Sequence, residues 1–550
     1  MTAWRLLKSG EHKELLSRIY KFTVASSDKK NPIKYSNWRE QWVELNEASR
    51  KELVEQIEAL SSRPSFSLIL DATDWDNPSF FSTIKSVIEQ LYPDWILCIT
   101  NGNMLDPDIA EKIKKLNDNR IKNSLTSPPE PNNWVLELNP GTQLHEAALF
   151  ASAVSINKNP EVSLLYSDHD HMDPHGNFCD PYMKPDWNPD LFAAMNYLTP
   201  FIVFKRELWS NHKKKEPDQD LPLVEIAKTL YHHEIFHIPH VLATLQVNDD
   251  GTHLQPTCKR VLYDLPDPAP TVSILIPTHD QGYVLERCLK SIFEKTDYLS
   301  FEIILVDHET TELKALNVIS EFKGFEHFKV INYSGSFNFS AIMNHAAKVA
   351  EGQILISLNN DTEVIDSEWL KELVSQVSRP EVGVVGALLL FGDGTIQHAG
   401  VHPGEDGLMG HGHKHLPGET PGYFNRLKAV HEVAAVTGAC LAIEKSTWFD
   451  LGGLDEENLA VAYNDIDLCF KAKRKGLRVI FTPFARLVHH ESVSRGVDDD
   501  LTVNTRLRKE LETMQDRWGE VIKSDPAYSP NLSFDGGSFK LAEKPKTLNF

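Results

Sequence analysis

The sequence predicts an α/β protein: two doubly wound domains in tandem, each with a mainly parallel sheet, behind a helical N-terminal extension. A recurring pattern carries this. SFSLILDAT (65–73) and TVSILIPTH (271–279) are apolar strands ending in polar turns, followed by the amphipathic helices STIKSVIEQL (82–91) and ERCLKSIFEK (286–295). The same order then continues in both halves. WILCITN (95–101) matches FEIILVD (301–307), and WVLELNPGTQL (134–144) matches ILISLNNDTEV (354–364). Farther on, DQDLPLVEIAK (218–228) matches NDIDLCFKAKR (464–474), and FHIPHVL (236–242) matches IFTPFARL (480–487). Strand–helix alternation repeated in this way specifies two copies of one α/β unit.

The boundaries follow from composition. Residues 1–63 form the extension, with helical apolar spacing at Trp42, Leu45, Leu53, Ile57 and Leu60 and a stop at Ser61-Ser62-Arg63-Pro64. Copy one spans 64–248, a Pro-, Asp- and Gly-rich linker 249–270, and copy two 271–534. An amphipathic helix over 503–522 (Leu507, Leu511, Met514, Trp518, Ile522) closes copy two, and the polar tail 535–550 is expected to be loose.

At 550 residues the chain has material for large cores, and its net charge of −22 without a dense basic stretch excludes a nucleic-acid partner. Cys98, Cys179, Cys258, Cys288, Cys440 and Cys469 are scattered without a CxxC pair, as in reduced core positions. No signal peptide or spanning segment is expected. The expected location is the cytoplasm, with peripheral association at the inner face of the plasma membrane.

Chemistry concentrates in copy two. Ile354, Leu355, Ile356 and Leu358 read as a strand buried on both faces, which stops at Asn359-Asn360-Asp361. A carboxylate and two amides at the carboxyl end of such a strand stand where open α/β sheets bind ligands, and oxygen ligands suit Mg²⁺ or Mn²⁺ with a diphosphate. A polar turn leading to a helix cap is the plainer alternative. Copy one has Pro140 and Gly141 in place of Asn360 and Asp361, Asn101 for Asp307, and Leu245 and Gln246 for His489 and His490. It also lacks a counterpart of the helix-like SFNFSAIMNHAAKVA (336–350), though it keeps an echo at Asp218 and Asp220. A glycine offers no side-chain ligand, so copy one is read as structural or acceptor-binding.

Other features have plainer readings. HGHKH (411–415), in Gly-rich flanks, is expected to be a mobile loop over donor or acceptor rather than a dedicated metal site. His398 is read as a strand-end residue shaping the cleft on the acceptor side. Thr437 and Gly438, in VTGACLA, either line the acceptor side or supply small residues to a buried strand. Asp168, Asp170 and Asp173 read as a polar turn with Pro174 and Gly176 in a surface hairpin, not as a calcium site.

On these stretches, together with EIILVDHETTE (302–312), FNFSAIMNHAA (337–347), DGTIQHAGV (393–401), PGYFNRL (421–427), YNDIDLCFKAKRKGLRV (463–479) and HHESVSRG (489–496), copy two resembles family 2 glycosyltransferases of the GT-A fold. The likeness is to the branch that builds bacterial surface polysaccharides, rhamnosyltransferases among them. YSDHDHMD (166–173) and MKPDWNPDL (183–191) make copy one similar to the degenerate GT-A-like domain of its long members.

The resemblance implies a metal-dependent, inverting transfer of a sugar from a nucleoside-diphosphate sugar, UDP- or dTDP-linked, to a glycan or lipid-linked glycan. Pro277, Thr278, Asp280, Asp307, Asn344, Asn359 and Asn360 would face the nucleotide sugar. Asp361 and His489, with His490 as runner-up, would hold Mn²⁺ or Mg²⁺. Asp465 would be the general base, ionised by its place at a helix N-terminus, with Asp467 as the alternative base or a cap. The alternatives are a non-catalytic nucleotide-sugar or glycan-binding scaffold and a sugar nucleotidyltransferase. The latter would carry a Gly-rich loop with Lys or Arg after its first strand, where this chain has PTHDQGYVLE.

Overall fold

The computed structural model describes residues 34–74, 79–101, 105–123, 133–213, 229–247, 257–404, 409–490, 501–533 and 537–545. Two sheets organise them. Across the first, the strands run Ile121–Asn123, Trp95–Thr100, Phe66–Asp71, Trp134–Leu138, Ile202–Lys205, Leu164–Met172, Ile235–Gln246 and Thr142–Leu144, with Phe178–Tyr182 hairpinned onto Leu164–Met172. Across the second they run Phe328–Asn332, Phe301–Asp307, Val272–Thr278, Ile354–Leu358, Cys440–Glu444, Val382–Leu390, Arg478–His489 and Thr362–Val364. Ile396–His398 and His431–Glu432 attach to its side.

In both sheets the first four strands are parallel, and later strands enter mostly antiparallel. The doubly wound part is thus the parallel side of each sheet, and the rest is mixed. Both faces of the second sheet are covered, which is why Ile354–Leu358 and Val382–Leu390 are buried at every position. Helices Gly282–Lys295, Leu313–Phe322 and Trp369–Val377 pack on one face. Phe339–Val349, Asn464–Arg474 and Leu501–Lys523 pack on the other, the last through Met514, Trp518 and Ile522.

The repeat extends to single positions. Thr362 faces His489 across an antiparallel pair, and Thr142 faces Leu245 in the equivalent pair of the first sheet. Gly141, with φ of +93°, stands where the second half has Asp361.

The halves are joined by buried charge. Asp190 of the first half, 4% exposed, accepts two hydrogen bonds from Arg379 (2.6 and 3.1 Å), one from Arg478 and one from Tyr263 (2.9 Å). These partners hold its carboxyl below the usual range against the opposing effect of burial. The described part of the linker, from residue 257, bridges the same junction, with Arg260 donating to Glu372 at 3.0 Å.

Two expectations are corrected. The described tail is not loose: Phe539 is 7% exposed and stacks with Tyr423 and His413, in a cluster that also holds Trp38, Met183 and Val241. Apolar partners from both halves explain this, and a tail read alone does not show them. Asp168 and Asp170 are not turn residues either, since both are fully buried in Leu164–Met172. Asp170 accepts from Arg39 (2.7 Å), Tyr35 (2.6 Å) and Thr244 (2.6 Å), tying the extension to the first sheet. Asp168 accepts from Lys184 N–H and His237 (both 2.8 Å) and from Asn531 (3.2 Å). Only Asp173 sits in the hairpin turn, where its carboxylate accepts the N–H groups of His175 and Asn177. The expected helical echo at Asp218 and Asp220, residues 1–33, the linker's 249–256, and 491–496 of HHESVSRG lie outside the described residues.

Candidate active site

The centre of the site is the chain reversal between Ile354–Leu358 and Thr362–Val364. Asp361, 3% exposed, projects Oδ1 to within 3.1 Å of His489 Nε2. The approach is fixed by backbone, because His489 is held opposite Thr362 and His490 N–H donates to the Asp361 carbonyl at 2.9 Å. Asn359 Nδ2 also lies 3.2 Å from His489 Nε2. Asn360 turns inward and donates to Thr278 Oγ1 at 3.0 Å, so both belong to the supporting wall. The other face of His489 is held by Gln397, whose Oε1 lies 2.7 Å from Nδ1.

The carboxylate–imidazole pair fits a divalent cation. A hard oxygen and an imidazole nitrogen converge on one point, and the Nδ1 contact orients the ring. Among the described residues no group of three or more His, Cys, Asp or Glu side chains forms a closed metal cage. An open site, completed by substrate oxygens, is the arrangement the pair allows. His490 is not part of it. Strand alternation turns its ring to the opposite face, where Nε2 lies 3.1 Å from Glu363 and 3.2 Å from Arg287.

Asp465 is reached through the segment 437–439. Asn359 N–H donates to the Ala439 carbonyl (3.1 Å), and Ser357 Oγ donates to the Gly438 carbonyl (2.6 Å). Gly438 N–H in turn donates to Asp465 Oδ2 (2.7 Å), with Ile466 N–H on Oδ1 (2.9 Å). The strand that carries Asn359 and Asp361 is thereby stitched to the Asp465 carboxylate. Asp465 is half-buried in the first turn of Asn464–Arg474.

The expected fall in its pKa is not found. Burial raises it from the ordinary carboxylate value, and the hydrogen bonds from Gly438, Ile466 and Thr437 offset this only in part. A base whose pKa is moved up toward the operating pH is the better proton acceptor. Asp467 has another role. It is fully buried, accepts from Trp518 Nε1 (2.9 Å) and Arg517 (3.2 Å), and pairs with Lys471 (2.7 Å). It anchors the closing helix and is no alternative base.

The remaining expected residues divide by their contacts. Asp307 ends its strand half-buried, with Thr310 N–H on Oδ1 at 3.0 Å. Around it stand His308, Phe337 and Tyr333, with His308 ring centroids 5.8 and 6.0 Å from the latter two. Asp280, at φ +52°, spends Oδ1 on the N–H groups of Thr311 and Glu312 (both 2.7 Å), which also lower its pKa. It shapes the loop beside Asp307, and Pro277 continues its strand in register with Val306.

Asn344 does not face the cleft. Both ends of its amide are taken by Leu454 (2.8 and 3.0 Å), and Nδ2 also reaches Glu456 (2.8 Å). His398 is 1% exposed with Nδ1 2.8 Å from His411 Nδ1, so it lies within the wall rather than on an open acceptor face. The loop 411–415 is pinned, not free: His413 accepts Tyr423 N–H at 3.0 Å and stacks on Phe539, and His415 stacks on Phe391. Gln397 and Ser357 were missed by sequence reasoning. Ser357 is signalled only as a polar residue inside an otherwise apolar buried strand, and Gln397 only as a polar residue in the short buried strand Ile396–His398.

Comparison with known proteins finds the following likenesses. Residues 273–431 match the family model described as Glycosyl transferase family 2. An uncharacterized protein of Sinorhizobium fredii is 33% identical over 91% of this chain and 61% of its own length. The O-antigen biosynthesis protein RfbC of Myxococcus xanthus is 30% identical over 92% of this chain and 43% of its own. The chain thus spans about half the length of these curated relatives. A solved structure of GalNAc-T7 with UDP, GalNAc and Mn²⁺ matches at 21% identity over 46% of this chain and 50% of that one, with a TM-score of 0.36. The second half of the chain thus contains a segment, 273–431, that is similar to family 2 glycosyltransferases.

Proposed function

We propose that the chain is a metal-dependent, inverting glycosyltransferase that moves a sugar from a nucleoside-diphosphate sugar, UDP- or dTDP-linked, to a glycan or lipid-linked glycan in cell-surface polysaccharide synthesis. The observation that carries it is the buried Asp361–His489 pair, 3.1 Å apart, knitted through 437–439 to the half-buried Asp465. The name of the Myxococcus relative supports the polysaccharide setting.

In this reading Asp361 and His489 hold Mn²⁺ or Mg²⁺. Such an ion, when bound, acts as a Lewis acid on the departing diphosphate. Asp307 receives the base or ribose, an acceptor-only carboxylate suiting an N–H or hydroxyl. Asp465 takes the proton of the acceptor hydroxyl as that oxygen attacks the anomeric carbon from the face opposite the leaving group, and Gly438 and Thr437 hold the carboxylate on the acceptor side. The first half, with Gly141 and Leu245 at the matching positions, supports the catalytic half or receives acceptor. Copy one over 64–248, copy two over 271–534 and the linker between are the proposed units. Among the described residues no helix is long and apolar enough to cross a membrane, and a cytoplasmic location with peripheral attachment belongs to this proposal.

The test is a screen of nucleotide sugars for Mn²⁺-dependent thermal stabilisation, followed by turnover with the donor found. A donor that stabilises wild type and is consumed by it but not by Asp465→Asn supports the reading. Stabilisation without turnover, unchanged in Asp465→Asn, would make the chain a binding scaffold.

A further inference from the structure

We propose that Gln397 is a positioning residue that sets the proton arrangement of His489 and so prepares its Nε2 for the cation; this rests on the reading that Asp361 and His489 hold one. Gln397 is 5% exposed in the short strand Ile396–His398, which is buried at all three positions and paired to Val382–Leu390. Its Oε1 lies 2.7 Å from Nδ1 of His489.

An imidazole with its Nδ1–H donated to an amide oxygen presents a lone pair at Nε2. Asp361 Oδ1, itself an electron-rich atom, lies 3.1 Å from that nitrogen. Two electron-rich atoms this close are stabilised by a cation that both can ligate. Asn359 Nδ2, at 3.2 Å from the same nitrogen, stands on the edge of this gap as a donor. Gln397 therefore favours the tautomer in which His489 ligates.

The choice of an amide has a consequence. A carboxylate at this place would also accept from Nδ1, while adding charge and making the ring a stronger ligand. The neutral Gln397 orients the ring without that added pull. Its strand neighbour His398 contacts His411 instead, so it does not duplicate the role.

The test is Mn²⁺ titration of the intact chain, reading free Mn²⁺ by electron paramagnetic resonance, with metal-free melting recorded separately. Gln397→Met keeps the volume and removes the acceptor, Gln397→Ala is the second non-accepting variant, and Gln397→Glu restores an acceptor. The Met and Ala variants should bind Mn²⁺ about 10–100-fold more weakly, the range for lost partners of ligating histidines, while Gln397→Glu binds at least as tightly as wild type. Wild-type Mn²⁺ affinity in the Met and Ala variants overturns the inference, as does a Glu variant as weak as they are, which would show a packing role. Asp361→Ala and His489→Ala separate the two levels. If both bind Mn²⁺ like wild type, the cation site itself is wrong; if both lose it while Gln397→Met does not, only the role of Gln397 falls.

Discussion

His489 and Asp361 are held together twice, once by side chains at 3.1 Å and once by the strand register that places His489 opposite Thr362. Because backbone pairing sets the approach, either side chain can be removed without loss of the strand pair. Asp361→Ala and His489→Ala should each abolish the thermal stabilisation produced by Mn²⁺ with donor. In wild type that stabilisation is about 2.7 kcal/mol at a ligand concentration one hundred times Kd. Melting with and without Mn²⁺ measures it, and chelation by EDTA should reduce wild type to the behaviour of the variants.

The two acids of the helix Asn464–Arg474 should separate cleanly. Asp465→Asn is expected to lower kcat by about 10²–10⁴-fold with little change in melting temperature. Asp467→Asn is expected to leave the chemistry in place but destabilise the chain by about 3 kcal/mol, because Arg517 and Lys471 lose a buried partner. Denaturant unfolding and single-turnover kinetics on both variants decide this.

The pH dependence of turnover follows from Asp465. A general base works only when deprotonated, and burial raises its pKa above the ordinary carboxylate value. kcat/KM should therefore fall as pH drops through that raised pKa, at higher pH than an exposed aspartate would give. A profile flat down to the ordinary aspartate range would remove Asp465 from the role.

Stability should carry the mark of His237. Burial lowers its pKa, but Asp168 and Asp186 outweigh burial and push it up to about 9. A raised folded-state pKa gives stability that is complete below the unfolded value and is lost as pH rises through the folded one. The melting difference between wild type and His237→Asn should thus be largest below about pH 6.5, decline as pH rises from there, and be gone above about 9, the folded value.

Much of the fold was legible because strand and helix patterns are local. The repeat could be read down to the pairing of Gly141 with Asp361 and Leu245 with His489, since the apolar strands on either side fix the alignment. Roles decided by distant partners were not. Asp467 looks like a cap until Arg517 and Trp518, about fifty positions later, are seen to hold it. Asp168 and Asp170 look like turn residues until His237, Asn531 and Arg39 close around them. Asn344 looks like a cleft residue, but Gly453, at φ +67°, brings the loop so near that an added Cβ would lie 2.3 Å from its amide oxygen. Sequence spacing contains no trace of such encounters.

Asp190 bears on how the chain can be handled. Its carboxylate lies in the first half and its arginine partners, Arg379 and Arg478, in the second. Cutting the protein between the repeats would separate the Asp190 carboxylate from the two guanidinium groups that neutralise it and remove the ion pairs that join the halves. Dissection of function is therefore better attempted by point substitution within the whole chain, where this charge pairing is kept.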